Sequence, residues 1–347
     1  MTANSQTMKE TAKQSLKSRV KSNLSLNSLY HSILKDLDKV EKELKLFTES
    51  PNRLISEISS YLFQNSGKRI RPALLLLCSK LLGYQGKESI FMSALIETIH
   101  VASLIHDDII DNSEMRRGRE SIHSRWGPNI TVLLGDYLYI KALGHSLRSK
   151  HREIIGILTG VSARMIEGEL KEYCWSGNLD LAEEEYLDII DKKTASLFSA
   201  ACQIGGVLGN ASEGEKHSLV EYGTNLGLSF QIIDDLLDFT ANEEVLGKPV
   251  FSDLSEGRIT LPLIYTMNND GGTNRKRITS ILKEKNLTKD NQKEILGIIQ
   301  SNGALDYTYK KAEEFSSKSS EIISQFPESV HREALALLPE YTLTRNK

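Results

Sequence analysis

Apolar side chains recur every three or four residues along most of this chain, the period of an amphipathic helix, and nowhere do they alternate convincingly as a strand would. From Leu29 the run SLYHSILKDLDKVEKELKLF predicts a helix that Pro51 ends. A second is predicted from Leu54 to Gln64, with a break at Ser66-Gly67 before the apolar run ALLLLCSKLLG. One long helix follows from about Lys87 to Asp111, then a loop marked by Gly118, Gly127 and Pro128. Further helices are expected over 130–147, 153–174, 185–209 and 218–238. Gly247-Lys248-Pro249 and Asp253 to Arg258 fall in loop, and the polar stretch after Tyr265 reads as a surface insertion around short helices. Helical periodicity resumes over 304–338, and the chain closes on a basic end, Arg345-Asn346-Lys347, without strong local meaning. Residues 1–25, rich in Ser, Lys, Thr and Asn, read as a disordered or loosely helical lead-in. With no dividing linker, 26–347 reads as one continuous all-α domain.

Composition adds exclusions. A chain of 347 residues, 39% hydrophobic and 26% charged, fits a soluble globular protein with a substantial core. A net charge of −3 gives no argument for nucleic acid or a membrane surface. Cys78, Cys174 and Cys202 lack metal-ligand spacing and sit among mostly apolar neighbours, which suggests buried free thiols and a reducing cytoplasm. No apolar run is long enough to span a bilayer.

Against this background two acidic clusters stand out: Asp107-Asp108-Ile109-Ile110-Asp111 and Asp234-Asp235-Leu236-Leu237-Asp238. On a helix, carboxylates at i and i+4 share a face, so Asp107 with Asp111, and Asp234 with Asp238, can approach one ion. Embedded in apolar sequence, they need a cation to offset repulsion and desolvation. All-oxygen ligands suit Mg²⁺, which usually completes its shell with substrate phosphates. Cations are spaced to receive those phosphates. Lys68, Arg69 and Arg71 open one helix, Arg116 and Arg117 follow the first cluster, and Lys192-Lys193-Thr194 sits in mid-helix. His100 lies two turns before Asp107 on nearly the same face, with Glu97 as an orienting partner.

From about residue 30 to its end the sequence resembles the trans-prenyl diphosphate synthases, or polyprenyl synthetases. The likeness rests on both aspartate clusters, Gly67 to Pro72, Arg116 to Gly118, Gly168 to Leu170, Lys193-Thr194 and Phe230-Gln231. It implies an isoprenoid synthase fold, a single large antiparallel helical bundle around a deep central cavity, and a homodimer. It also implies three Mg²⁺ ions held by Asp107, Asp108, Asp111, Asp234, Asp235 and Asp238. Isopentenyl diphosphate would meet Lys68, Arg71, His100 and Arg117. Arg116, Lys193, Thr194, Gln231, Lys248 and Arg258 would face the allylic diphosphate, with Asp107, Asp111, Lys193, Asp234 and Lys248 as the catalytic set. Arg258 stands where many relatives carry Lys, and Ser66-Gly67 replaces the usual double glycine.

The expected reaction is head-to-tail condensation to a long all-trans polyprenyl diphosphate, a quinone side-chain precursor, with transient membrane contact for product release. Small residues at Ala102 and Ser103, with Ile96 and Ile99 deeper on the same helix, would form the pocket for the growing chain. Ser103 lies about 40° from Asp107 around the helix, whereas Ala102 is well off that line. A shorter-chain farnesyl or geranylgeranyl diphosphate synthase and a non-catalytic partner subunit are the alternatives. Retention of all six aspartates argues against the partner subunit.

Overall fold

The computed structural model describes residues 25–64, 67–116, 118–240, 250–269, 272–283 and 287–345. The lead-in expected over 1–25 therefore lies almost wholly outside the described residues.

Two long helices set the frame. The first, Glu88–Ile110, is apolar nearly all round and occupies the centre of the fold. Among the described residues it alone is long and apolar enough to cross a membrane, and 67% of that stretch is buried inside the fold, as a core helix should be. Its end is set by sequence. Asn112 takes the left-handed conformation (φ +48°), Asn112 N donates to Ile109 O and Ser113 N donates to Asp108 O. This closes the helix in a Schellman motif with Asn where Gly is usual.

The second long helix, Glu213–Thr240, joins two hydrophobic cores. Leu219, Tyr222 and Leu226 pack into the larger one, with helices Leu34–Thr48, Ile70–Leu81, Pro128–Ser146, Ser196–Leu208 and Val330–Thr344. Leu228, Ile232, Ile233 and Phe239 pack into the smaller one, with Leu181 to Ile190, Phe251 to Met267 and Ile278 to Ala312. Gly223 and Gly227, one turn apart, let it settle onto the neighbouring helical run. A Cβ at Gly227 would stand 2.5 Å from Ala195 Cα, and one at Gly223 would stand 2.7 Å from Ser199 Cα.

The structure departs from the sequence reading in several places. The run expected over 185–209 is continuous but not uniform: helix Glu183–Ile190 passes through one π-helical turn, Asp191–Ala195, into Ser196–Leu208. The polar stretch after Tyr265 is no mere surface insertion. Helices Thr273–Lys283 and Lys289–Ser301 bury Ile278, Ile281, Ile295 and Ile299 in the smaller core, which their thin apolar stripes conceal. The last periodic region is two helices, Ala304–Ser324 and Val330–Thr344. Cys174 is exposed, whereas Cys78 and Cys202 are buried free thiols. Among the described residues, strand pairing is confined to a small hairpin, Met115–Arg116 with Arg119–Glu120, turned at Gly118 (φ +74°).

Gly227→Ala should therefore push backbone against backbone and lower the thermal midpoint by several degrees, an overpacking cost of about 1–3 kcal/mol. Gly297→Ala, in helix Lys289–Ser301 with nothing within 4 Å of the added carbon, should instead stabilise by about 0.5–1 kcal/mol. Thermal melts of the two variants beside the parent check both signs.

Candidate active site

Both aspartate clusters occupy helix C-termini. Asp107, Asp108 and Asp111 lie in and just past the last turn of Glu88–Ile110, and Asp234 to Asp238 fall in the last two turns of Glu213–Thr240. Carboxylates there face the negative end of the helix dipole, an unfavourable placement of about 0.3–1 kcal/mol each. Compensating cations converge on them. Arg116 Nε meets Asp108 at 2.5 Å, Arg258 Nη1 meets Asp111 at 2.9 Å, and Arg345 Nη2 meets Asp234 at 2.8 Å. Arg258 also holds Asp253 and Glu256, so it ties the loop after the second cluster to the first.

The remaining aspartates differ in their surroundings. Asp235 is buried and accepts from Tyr186 Oη at 2.6 Å and Gln231 Nε2 at 2.7 Å. Burial, then the charge of Asp253, pushes its carboxyl well above the ordinary range. Asp238 is fully buried and accepts from Ser252 Oγ at 2.8 Å and Asp253 N at 3.2 Å, so it braces the following loop. The Asp107 carboxylate has no hydrogen bond or ion pair among the described residues. Burial raises its pKa to about 7; Glu169 and Asp111 push the same way, while Lys193 and Arg116 oppose them.

Lys193 is set by the π-helical turn, a feature that often re-aims a side chain at a functional site. Its ammonium lies 2.7 Å from Glu169 and 2.5 Å from Glu172, neighbours on one face of helix Glu153–Trp175. Burial disfavours the charge, but Glu172, Glu169 and Asp107 outweigh it and keep Lys193 protonated. Gly168 makes this approach possible, since a Cβ there would lie 2.8 Å from Lys193 N. Thr194 Oγ1 donates to Gln231 Oε1 at 2.8 Å, which fixes the amide that in turn holds Asp235.

A cavity of about 770 Å³ gathers Lys68, Arg71, His100, Ser103, Asp107, Arg116, Lys193, Thr194, Gln231 and Asp234. One side is apolar, with Tyr139, Met165, Ile166 and Leu170. A second cavity of about 260 Å³ shares Asp107, Arg116, Lys193, Thr194 and Gln231 with it, and adds Asp111, Asp235 and Arg258. Arg71 and Lys68 stand over the rings of Phe198 and Tyr341 at 4.7 and 5.9 Å.

Not every expected residue arrives there. Ile96, Ile99 and Ala102 are fully buried and none lines the larger cavity; of the four residues expected in the chain pocket, only Ser103 does. Ile96 does lie nearly in line with Asp107, but three turns back that face has passed into packed core. Arg69 spends its guanidinium on carboxylates of the fold itself. It takes a left-handed conformation (φ +50°) and donates to Glu41 at 2.5 and 3.1 Å and to Glu97 at 2.6 Å, bracing three helices. Arg117 and Lys248 lie outside the described residues.

Two contributors lie outside the set expected from sequence. Arg345, in the basic end to which the sequence assigns no strong local meaning, is buried, stacks 3.6 Å over Phe230 and reaches Asp234. The only sequence signal was its place directly after an apolar-periodic helix. Tyr186 carried none, because its role depends on a contact with Asp235, 49 residues away.

The donor chemistry fits a hard divalent cation: oxygen ligands from both clusters and one carboxylate, Asp107, that has no side-chain partner among the described residues. Among the described residues no three potential ligands stand close enough to hold an ion unaided. Phosphate oxygens would have to complete the shell.

Comparison with known proteins agrees with this arrangement. The family model for polyprenyl synthetase matches residues 52–299. The chain is 33% identical to octaprenyl diphosphate synthase of Haemophilus influenzae, over 93% of this chain and 98% of that one. It is 34% identical to geranylgeranyl diphosphate synthase of Saccharolobus solfataricus, over 92% and 98%. A polyprenyl synthase from Caulobacter crescentus, solved with calcium and isoprenyl diphosphate, superposes with a TM-score of 0.88 at 31% identity, covering 93% of this chain and 98% of that one. The all-α fold, the paired aspartate clusters on one cavity and these matches make the chain a member of the polyprenyl synthetase family and a prenyl-transferring enzyme.

Proposed function

We propose that this enzyme condenses isopentenyl diphosphate with an allylic diphosphate to build a long all-trans polyprenyl diphosphate. The observation that carries the reading is one cavity with Asp107 and Asp234 on facing helix ends, cations around them and an apolar wall beyond. Mg²⁺ would be held by Asp107, Asp111, Asp234 and Asp235, in a set of three ions, and would neutralise the diphosphate as the allylic carbon–oxygen bond breaks. Lys193, fixed by Glu169 and Glu172, donates to the same diphosphate, and Arg116 and Arg258, paired with Asp108 and Asp111, add positive charge to the cavity walls beside it. Lys248 joins them by resemblance. At an effective dielectric of about 20, each charge pair at 4 Å contributes about 4 kcal/mol. Lys68, Arg71 and His100, with Arg117, receive isopentenyl diphosphate. The apolar wall keeps water from the allylic cation until the second substrate's double bond attacks it, and the departing diphosphate takes the proton.

An exposed apolar face supports a homodimer. Leu133, Ile140 and Leu147 are spaced by seven and lie in one line, 68%, 72% and 70% exposed. On the adjoining helix Ile166, Leu170 and Tyr173 are 54%, 60% and 70% exposed. Ile166 and Leu170 also line the cavity, so a second copy seated on this face would close its outer wall.

Incubation with farnesyl diphosphate, labelled isopentenyl diphosphate and Mg²⁺ should give chain-extended products beyond twenty carbons. A product stopping at twenty would assign the shorter-chain activity of the geranylgeranyl relatives, and no extension at all would sink the reading. Asp107→Asn should lower kcat by at least about a hundredfold. The same substitution should stabilise the metal-free protein. With its folded pKa raised to about 7, Asp107 costs stability progressively as pH climbs from the ordinary carboxylate range to about 7, and fully above it. Melts in chelator should therefore show the gain at pH 8 and not at pH 4. Ser103→Phe should shift products to shorter chains while sparing the first condensation, read by chromatography. Ile140→Glu should shift sedimentation from dimer to monomer.

A further inference from the structure

Arg116 is carried by the smallest element of the fold, a hairpin with two residues in each strand, Met115 opposite Glu120 and Arg116 opposite Arg119. Such a hairpin is marginal alone. Nor is it well packed from beneath, because a cavity of about 70 Å³ lies between it and the helices, lined by Phe63, Leu104, Ile105, Asp108 and Arg116 among others. Something at its rim must hold it.

That support is Tyr61, in the last turn of helix Arg53–Leu62. Its hydroxyl donates to the Glu120 carbonyl at 2.9 Å. The Arg119 guanidinium stands 5.6 Å over the Tyr61 ring while its Nη1 donates to Gln64 Oε1 at 2.7 Å. Trp126 meets the same ring edge-on at 5.1 Å, and Arg125 lies 4.7 Å from both rings. Between hairpin and helix Arg53–Leu62, Tyr61 thus supplies a hydrogen bond and a cation–π contact. Asp108, 2% exposed, makes displacement of Arg116 costly, since a buried carboxylate would lose its partner.

We propose that Tyr61 is a positioning residue for Arg116, holding the hairpin so that the guanidinium stays aimed at the allylic diphosphate. This rests on the prenyl-transfer reading above. The variants are Tyr61→Phe, which removes only the hydroxyl, and Tyr61→Ala. The readouts are KM for each substrate, Mg²⁺-dependent binding of inorganic pyrophosphate by calorimetry, and the thermal midpoint.

Tyr61→Phe should raise the allylic KM and the pyrophosphate Kd threefold to tenfold, about 0.7–1.4 kcal/mol. The KM for isopentenyl diphosphate should stay within twofold and the midpoint should hold. Tyr61→Ala should have the larger effect on the same two quantities. In an Arg116→Ala background, Tyr61→Phe should change pyrophosphate binding no further, since the two act through one contact chain.

Unchanged allylic KM and Kd in both variants would overturn the proposal. So would equal rises in both KM values with a fallen midpoint, or full additivity with Arg116→Ala. Absence of turnover in the parent protein would sink prenyl transfer, while the pyrophosphate Kd ratio would still decide the role of Tyr61.

Discussion

Negative charge gathered where two helices end is the constraint from which the rest of the site follows. Six aspartates sit at the C-terminal ends of Glu88–Ile110 and Glu213–Thr240, facing unfavourable dipoles and partly withdrawn from water. Such a cluster persists only if the fold surrounds it with cations. Arg116 arrives on a hairpin, Arg258 on a loop and Arg345 just past the last helix, so three remote parts of the chain are drawn to one place. Lys193 completes the ring but is held by its own carboxylates, Glu169 and Glu172. Among the described residues the site alternates carboxylates with the cations that hold them, so neither sign of charge stands alone.

Close packing aims these groups. Gly168 admits the π-helical turn, Gly223 and Gly227 admit the second long helix, and the left-handed Arg69 locks the start of Ile70–Leu81 to Glu41 and Glu97. The polar network from Thr194 through Gln231 and Asp235 to Tyr186 orients the inner face of the second cluster. Each member is satisfied by the next, which is the condition under which a buried polar chain rigidifies a site.

Much of this was legible in the sequence because helices and charge clusters are written locally. The apolar period marked the long helices to within a few residues at most boundaries, and the spacing of Asp107, Asp111, Asp234 and Asp238 marked the two acidic helix ends where cations of the fold converge. What escaped depends on chain segments meeting at a distance. The π-helical turn has no local signature, and Arg345 acquires its role only when the final helix returns to Phe230. The direction of Ile96 was read correctly, but direction around a helix does not say where a cavity stops and solid packing begins. The isoleucines of Thr273–Lys283 and Lys289–Ser301 were outnumbered by polar neighbours, though a few buried side chains suffice to dock a short helix.

The second long helix belongs to both hydrophobic cores, with Tyr222 in one and Ile233 in the other. Neither core can come apart without withdrawing this shared beam and moving three of the six carboxylates. A ligand that needs both clusters is therefore linked by mass action to the integrity of both cores. Occupancy of the site and cooperativity of folding become two readings of one equilibrium, and the half of the protein farthest from the chemistry is stabilised along with the half that performs it.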